Sequence, residues 1–273
     1  MSDTRSTAQP LGFGTLLTPV HLGTGAEATI RFAAQLARCL SCRLIGTGAD
    51  QLELPYYGDG AGMVDAVLVE NARAVMEEDL AKAQALFRRA ADGVALDWRS
   101  AVDAPASFVL TQSRAADLVV LARQGGGDPP LGRMGVAPGD VVLELGRPIL
   151  IVPQEVERLA ARSVVIAWKD TRESRRAVQD ALPFLVRADV VTVLSVGADP
   201  ADDGAQDVCG YLAQYGIAAR VVTRPKSSAT VAAEIADLIV AGAYGHSRLR
   251  EWIFGGVTRD LIETTPVCCL MSH

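Results

Sequence analysis

An internal repeat limits the possible folds of this chain more than any other feature. The segment ADLVV at residues 116–120 recurs as ADLIV at residues 236–240, an offset of 120 residues. Gly125 corresponds to Gly245 at the same offset, so the register is kept beyond the apolar run. Self-similarity on this scale indicates that one structural unit occurs twice in the chain.

The two copies predict two domains, at residues 12–155 and 162–273, joined by a short segment near 158–163. An apolar run ending at Val20 corresponds to one ending at Trp168, an offset of 148 residues. The second copy therefore lacks about 28 residues between its first and fourth strands.

Each copy predicts strands that alternate with helices, which is typical of right-handed βαβ units and a doubly wound parallel sheet. The α/β class follows from this alternation. The predicted strands are 15–20, 43–47, 95–101, 118–121 and 149–152, then 163–168, 190–196, 217–223, 238–241 and 267–271. The predicted helices are 26–39, 63–92, 105–113 and 138–145, then 173–186, 207–215, 229–236 and 257–263.

Composition excludes several classes of function. The apolar share of 49% is sufficient for buried cores, which excludes a disordered chain. The formal net charge is −6, so no overall positive charge attracts a nucleic-acid backbone or an anionic membrane. Without an apolar run long enough for a signal or a membrane span, we expect a cytoplasmic protein. Cys39 and Cys42 form a C-x-x-C motif at the end of a predicted helix. This motif indicates either a redox or metal-binding pair or two ordinary core cysteines. The three histidines have no ligand partners at zinc spacing.

A glycine-rich loop follows the fourth strand of the second copy and ends at a predicted helix. Glycine lets backbone N–H groups approach a phosphate, and a helix N-terminus adds a positive dipole end. In the other reading these glycines only form a turn and start a helix. The candidate binding residues of this loop are Gly242, Gly245, His246, Arg248, Gly255, Gly256, Val257 and Thr258.

The spacing G-x2-G-x9-G after a strand that reads ADLIVAG resembles the universal stress protein family. Two such copies resemble its tandem form, and the string GAYGHSRLREWIFGGVTR is similar to tandem members. The resemblance implies a Rossmann-like fold of the adenine nucleotide α-hydrolase kind, with strand order 3-2-1-4-5 in each domain. It also implies antiparallel association of terminal strands, and ATP or a related adenine nucleotide bound by the loop.

The second copy departs from the nucleotide-binding branch of that family at two places. Gly256 stands where that branch has Ser or Thr, unless Thr258 substitutes. Lys169 stands where that branch has an adenine-facing Asp, although Asp170 takes this role if the register shifts by one. A lysine cannot accept a hydrogen bond from the adenine amino group, but it can contact a phosphate. Asp170 and Thr171 are alternatively a helix N-cap.

The first copy departs further. Its loop begins with Ala122 instead of glycine, and Val136 replaces the closing hydroxyl residue. We interpret this copy as a scaffold with a weaker candidate site. Its candidate residues are His21, Arg123, Gly125 and Gly135.

The leading hypothesis is a cytoplasmic stress-response protein that binds an adenine nucleotide (ATP, ADP or AMP) or a small phosphate ligand in the second copy and acts as a sensor. No catalytic apparatus is recognised, and no metal is expected beyond nucleotide-associated magnesium. The alternative is a nucleotide-independent interaction module with vestigial pockets. An α-hydrolase enzyme is a third reading, but its S-G-G-x-D-S loop is absent. Edge pairing of the terminal strands predicts a homodimer or an intrachain domain pair.

Overall fold

The computed structural model describes residues 12–51, 66–125, 127–196, 203–224, 236–243 and 263–273. Within these ranges the chain forms ten strands, five from each copy of the repeat. The first copy supplies β1 (Thr15–Pro19), β2 (Arg43–Asp50), β3 (Leu96–Val102), β4 (Leu118–Ala122) and β5 (Ile149–Val152). The second copy supplies β6 (Ser163–Trp168), β7 (Val190–Val196), β8 (Ala219–Arg224), β9 (Leu238–Gly242) and β10 (Cys268–Ser272).

Among the described residues, helices lie between successive strands of the first copy and between β6, β7 and β8, as their parallel pairing requires. In the described ranges the first copy contains α1 (Ala26–Leu40), α2 (Ala66–Ala90), α3 (Pro105–Gln112) and α4 (Pro138–Val141). The second copy contains α5 (Arg172–Asp180), α6 (Leu182–Leu185) and α7 (Ala205–Ala213). No helix of the described ranges is long and apolar enough to cross a membrane.

All ten strands belong to one sheet, in the order β3-β2-β1-β4-β5-β10-β9-β6-β7-β8. Pairing is parallel within each copy and antiparallel where β5 meets β10, with Leu150 opposite Leu270. The predicted α/β class, the order 3-2-1-4-5 in each copy and the antiparallel terminal pairing are therefore confirmed. The central strands β5, β9 and β10 are buried at every position, because strands pair with both of their edges and core side chains pack on both of their faces.

The repeated Ala-Asp sequence has a structural role that explains its recurrence. The Asp117 carboxylate accepts hydrogen bonds from the amides of Gly14 (2.8 Å) and Thr15 (3.0 Å) at the start of β1. Asp237 accepts the equivalent bonds from the amides of residues 162–163 at the start of β6, at 2.9 and 3.1 Å. Each aspartate thus joins the beginning of the fourth strand of its copy to the beginning of the first strand.

Most predicted elements match the structure to within two residues at each end, and the differences have local causes. The predicted helix 173–186 is divided at Ala181 into α5 and α6, because Pro183 has no amide to continue the hydrogen-bond ladder. The predicted helix 138–145 is helical only over α4 and continues as turns. The predicted helices 229–236 and 257–263 lie almost entirely outside the described residues.

Residues of both copies pack together in one buried cluster on one face of the sheet. A single buried cluster includes residues of α1, α2, α5, α6 and α7, and the rings of Phe13 and Phe184 lie 5.5 Å apart across the junction. The second buried cluster, on the opposite face, also draws on strands of both copies. The ten strands therefore form a continuous scaffold whose C-terminal strand ends position the candidate sites.

Candidate functional sites

Two crevices mark the points at which the strand order reverses. They lie at the carboxyl ends of β1 and β4 in the first copy and of β6 and β9 in the second copy. In doubly wound sheets the loops after such neighbouring strands diverge, and ligands bind in the space between them. The candidate residues of both copies follow these strands in sequence.

Gly242 ends β9 and touches the first turn of α5. A Cβ atom at this position would lie 2.6 Å from the Ser174 nitrogen and 2.8 Å from the Glu173 carbonyl carbon. Both are backbone atoms and cannot move aside easily. Glycine therefore permits the α5 N-terminus to approach the crevice, while Thr171 caps this helix by accepting the Ser174 amide hydrogen bond at 3.3 Å.

The residues after β6 differ in their exposure. Trp168 is buried, and its indole N–H donates to the Asp203 carbonyl at 2.8 Å. Lys169 and Asp170 are both exposed. The Asp170 carboxylate pairs with the Arg175 guanidinium at 2.6 Å, so its acceptor capacity is shared with that side chain.

Glu173 is a carboxylate in the crevice that sequence reasoning interpreted only as a residue of the first helical turn. It is 8% exposed and ion-paired with Arg172. Burial raises the pKa of Glu173, but hydrogen bonds from Arg172, Thr171 and its own backbone outweigh that effect and place the pKa below its usual value. An ionised carboxylate therefore stands beside the α5 N-terminus, where the helix dipole also favours it.

Most of the second glycine loop lies outside the described residues. The expected roles of these residues in binding a ligand therefore stay predictions. They are Gly245, His246, Arg248, Gly255, Gly256, Val257 and Thr258.

In the first copy, the crevice is narrowed by its own loop. The Leu131 carbonyl oxygen lies 2.8 Å from where a Cβ of Gly23 would stand. His21 is 6% exposed, and its Nδ1 accepts the Gly23 amide hydrogen bond at 3.0 Å. Burial lowers the pKa of His21, and the nearby Leu131 carbonyl opposes this shift without outweighing it. A neutral imidazole follows, which attracts a phosphate less than a charged one would.

Asp128 engages the groups of the first loop that could otherwise bind an anion. Its carboxylate accepts hydrogen bonds from the Arg123 guanidinium at 3.3 Å and from the Gly125 amide at 2.9 Å. The Arg123 guanidinium, together with the Gly125 amide, holds the pKa of Asp128 below its usual value against the opposing effect of burial. Gly135 packs closely too, since its Cβ would lie 2.2 Å from the Cβ of Leu131.

Arg123 and Gly125 also contact the second copy. Arg123 donates to the Thr265 carbonyl at 2.9 Å. A Cβ on Gly125 would lie only 2.0 Å from the Glu263 carbonyl oxygen. Two of the candidate residues of the first loop thus lie against the segment that precedes β10.

Arg133, which the sequence did not single out, ties the same loop to β2 and α2. Its guanidinium lies 2.9 Å from a carboxylate oxygen of Asp50, which is 1% exposed, and 2.9 Å from one of Asp79. The sequence pattern does not show that Asp50, at the end of β2, is buried, and it does not indicate that Arg133 is its partner. In the described ranges no group of three or more His, Cys, Asp or Glu side chains could hold a metal ion.

The fold and the paired crevices define a class: a tandem doubly wound protein with two halves joined through their terminal strands. No protein-family model matches the sequence, and no curated protein matches it. A universal stress protein from Archaeoglobus fulgidus DSM 4304 is similar in structure over 94% of this chain and 97% of its own, with a TM-score of 0.69 and 15% identity. A functionally unknown protein from Pseudomonas aeruginosa PAO1 is similar over 96% of this chain and 93% of its own, with a TM-score of 0.53 and 15% identity. This chain has the fold of a universal stress protein in its tandem form.

Proposed function

We propose that this chain is a cytoplasmic stress-response protein of the universal stress protein family that binds an adenine nucleotide or a smaller phosphate ligand in its second copy. The fold supports this proposal because its ligand crevices are at the strand-order reversals. In this proposal the bound state changes the surface offered to a partner protein, and binding rather than catalysis is the activity. The pairing of β5 with β10 within the chain realises the predicted domain pair, and a homodimer stays a proposal.

The difference between the two crevices is the observation that carries the proposal. In the first copy, Asp128 occupies Arg123 and the Gly125 amide, and Leu131 narrows the crevice beside Gly23. In the second copy the corresponding strand ends carry an exposed lysine, Lys169, and the N-terminus of α5, where the Glu173 carboxylate is paired with Arg172. Such groups favour a negatively charged oxygen.

Lys169 makes phosphate the better-supported part of the ligand. A lysine ammonium donates hydrogen bonds and cannot accept one from an adenine amino group. Comparing AMP with inorganic phosphate therefore measures whether the base contributes to affinity. Equal affinity for the two would support a phosphate site without adenine recognition.

The test measures thermal and urea unfolding with ATP, ADP, AMP or inorganic phosphate. A ligand at about 100 times its dissociation constant adds ~2.7 kcal/mol to the free energy of unfolding. Gly245→Val should abolish this gain and leave the unliganded protein folded, because the side chain blocks close approach of a phosphate to the backbone.

Gly127→Val in the first loop is the matched control. A Cβ at Gly127 meets no atom within 4 Å, so this variant should keep both stability and ligand response. A ligand gain that survives in Gly245→Val would contradict the proposed location.

The alternative function is a nucleotide-independent interaction module with vestigial pockets. The first loop favours this alternative, because its own Asp128 carboxylate bonds Arg123 and the Gly125 amide, two groups that could bind an external anion. The absence of any stabilisation by the four ligands would select this alternative.

A further inference from the structure

A groove opens over the end of β6 on the helical face of the second copy, between α5 and α7, and it borders the crevice between β6 and β9 at Trp168 and Asp170. α5 packs on β9 and β10, whereas α7 packs on β7 and β8. The two helices therefore diverge, and the space between them above the end of β6 has a volume of about 460 Å³. Volumes of several hundred cubic ångströms are typical of small-molecule sites.

The groove arises from the shortening of the repeat. In the first copy α2 has 25 residues and packs against α1, with Arg89 of α2 lying 3.7 Å from Glu27 of α1. Its counterpart α7 has only 9 residues. A shorter helix covers less of the sheet, and the described residues leave a space above the end of β6 between α5 and α7.

The groove is lined by apolar and aromatic side chains. Trp168 lies at the end of β6, and Val178 and Val208 line the groove from α5 and α7. Tyr211 adds an aromatic ring, held edge-on to Tyr215 with ring centroids 5.2 Å apart. The hydrogen bond with Tyr215 raises the pKa of Tyr211 to about 12, so this ring stays neutral at physiological pH.

The charged side chains of the groove leave one negative charge uncompensated. Asp170 and Arg175 pair with each other at 2.6 Å. Asp207, in the first turn of α7, is exposed, and among the described residues no hydrogen bond or ion pair engages its carboxylate. The groove therefore combines aromatic faces with one carboxylate that has no ion-pair partner among the described residues.

We propose that this groove binds a small organic cation, an ammonium group carried on a flat apolar body. The apolar body would lie against Trp168 and Tyr211, where aromatic faces attract cations, and the ammonium group would face Asp207. The three features of the groove, its apolar lining, its aromatic rings and its net negative charge, select this class over neutral or anionic molecules of the same shape.

The test titrates phenethylammonium, phenethyl alcohol and phenylacetate, which share an aromatic body and differ in charge. Trp98→Phe with Trp252→Phe leaves Trp168 as the single tryptophan and fluorescence reporter. Saturable binding of phenethylammonium is expected, with the alcohol and the anion weaker by about 3- to 10-fold or more. Calorimetry on the wild-type chain repeats the comparison without substitutions and covers the case in which the double variant does not fold.

Asp207→Asn keeps the shape of the side chain and removes its charge, so it should abolish the preference for the cation over the alcohol. Asp189→Asn is the control, since Asp189 is an exposed carboxylate that pairs with Arg162 away from the groove. Equal binding of cation and alcohol to the wild type, an unchanged preference in Asp207→Asn, or no saturation below about 10 mM would overturn the proposal. Nucleotide binding is not involved in any of these readouts.

Discussion

Asp128 shows how a single side chain can engage the polar groups of a repeated loop from within the chain. Its carboxylate is an internal anion for Arg123 and the Gly125 amide, two groups that could otherwise meet a ligand. The side chains of Arg123 and Asp128 are each 13% exposed, so solvent screens this pair only weakly.

Asp128→Asn should lower the free energy of unfolding at neutral pH by about 1.5–3 kcal/mol, the usual range for a hydrogen bond to a charged group. The pKa of Asp128 is depressed in the folded state, so its contribution is present above the unfolded pKa of about 3.9 and is lost as the pH falls through the folded pKa. Urea unfolding between about pH 7 and about pH 3 should therefore show the wild type converging on the variant.

The exposed carboxylate of Asp92 supplies the control for that measurement. Asp92→Asn should leave both stability and its pH dependence close to those of the wild type. A constant difference between Asp128→Asn and the wild type at every pH would contradict the assigned pKa shift.

Substituting alanine for Gly242 and for Gly210 should change the free energy of unfolding in opposite directions. In Gly242→Ala the new methyl group meets backbone atoms of residues 173–174 at 2.6 to 2.8 Å, and the overpacking should cost about 1–3 kcal/mol. In Gly210→Ala, inside α7, the new Cβ meets no atom within 4 Å, and the higher helix propensity of alanine should add about 0.5–1 kcal/mol. Urea unfolding of both variants checks the signs, and stabilisation by Gly242→Ala would refute the close approach to α5.

At the scale of elements, β10 is the strand of the second copy that joins the sheet of the first copy. It pairs in parallel with β9 and antiparallel with β5, and all of its residues are buried. Burial raises the pKa of Cys268 to about 12 and raises that of Cys269 as well. Thiols in this state are poor nucleophiles at neutral pH.

Thiol labelling therefore reports on the integrity of β10. In the native protein a disulfide reagent should modify the exposed Cys39 first, while Cys268 and Cys269 stay protected until the sheet unfolds. Mass spectrometry of labelled peptides makes the measurement, with Cys39→Ser as the control that removes the fast phase. Rapid modification of Cys269 in the folded chain would show that the seam between β5 and β10 opens locally.

At the scale of the whole molecule, the shared sheet and the shared core cluster couple the two copies. The hydrogen bond of Arg123 with Thr265 and the ring contact of Phe13 with Phe184 both join the two copies. A structure with so much common buried surface should unfold as one cooperative unit.

Single-tryptophan variants test this cooperativity. Trp98 reports on β3 of the first copy and Trp168 on β6 of the second, once the other two tryptophans are replaced by phenylalanine. In each variant, the urea midpoint from tryptophan fluorescence should agree with the midpoint from circular dichroism. Circular dichroism also gives the stability of each variant, and the two fluorescence midpoints should agree after correction for this stability. Two separated transitions in one variant would mean that the copies unfold independently.

The sequence by itself determined the repeat and the alternation of strands and helices, because these depend on periodic apolar patterns and local motifs such as the Ala-Asp pair of each copy. The strand order was an implication of the family resemblance, which the glycine spacing carried. Only the tertiary structure decided that Asp128 satisfies Arg123, that Glu173 lies buried beside Gly242, and that a groove opens over Trp168. Such features depend on side chains brought together from distant parts of the chain and on the lengths of helices relative to the sheet. Local sequence patterns do not encode those distances.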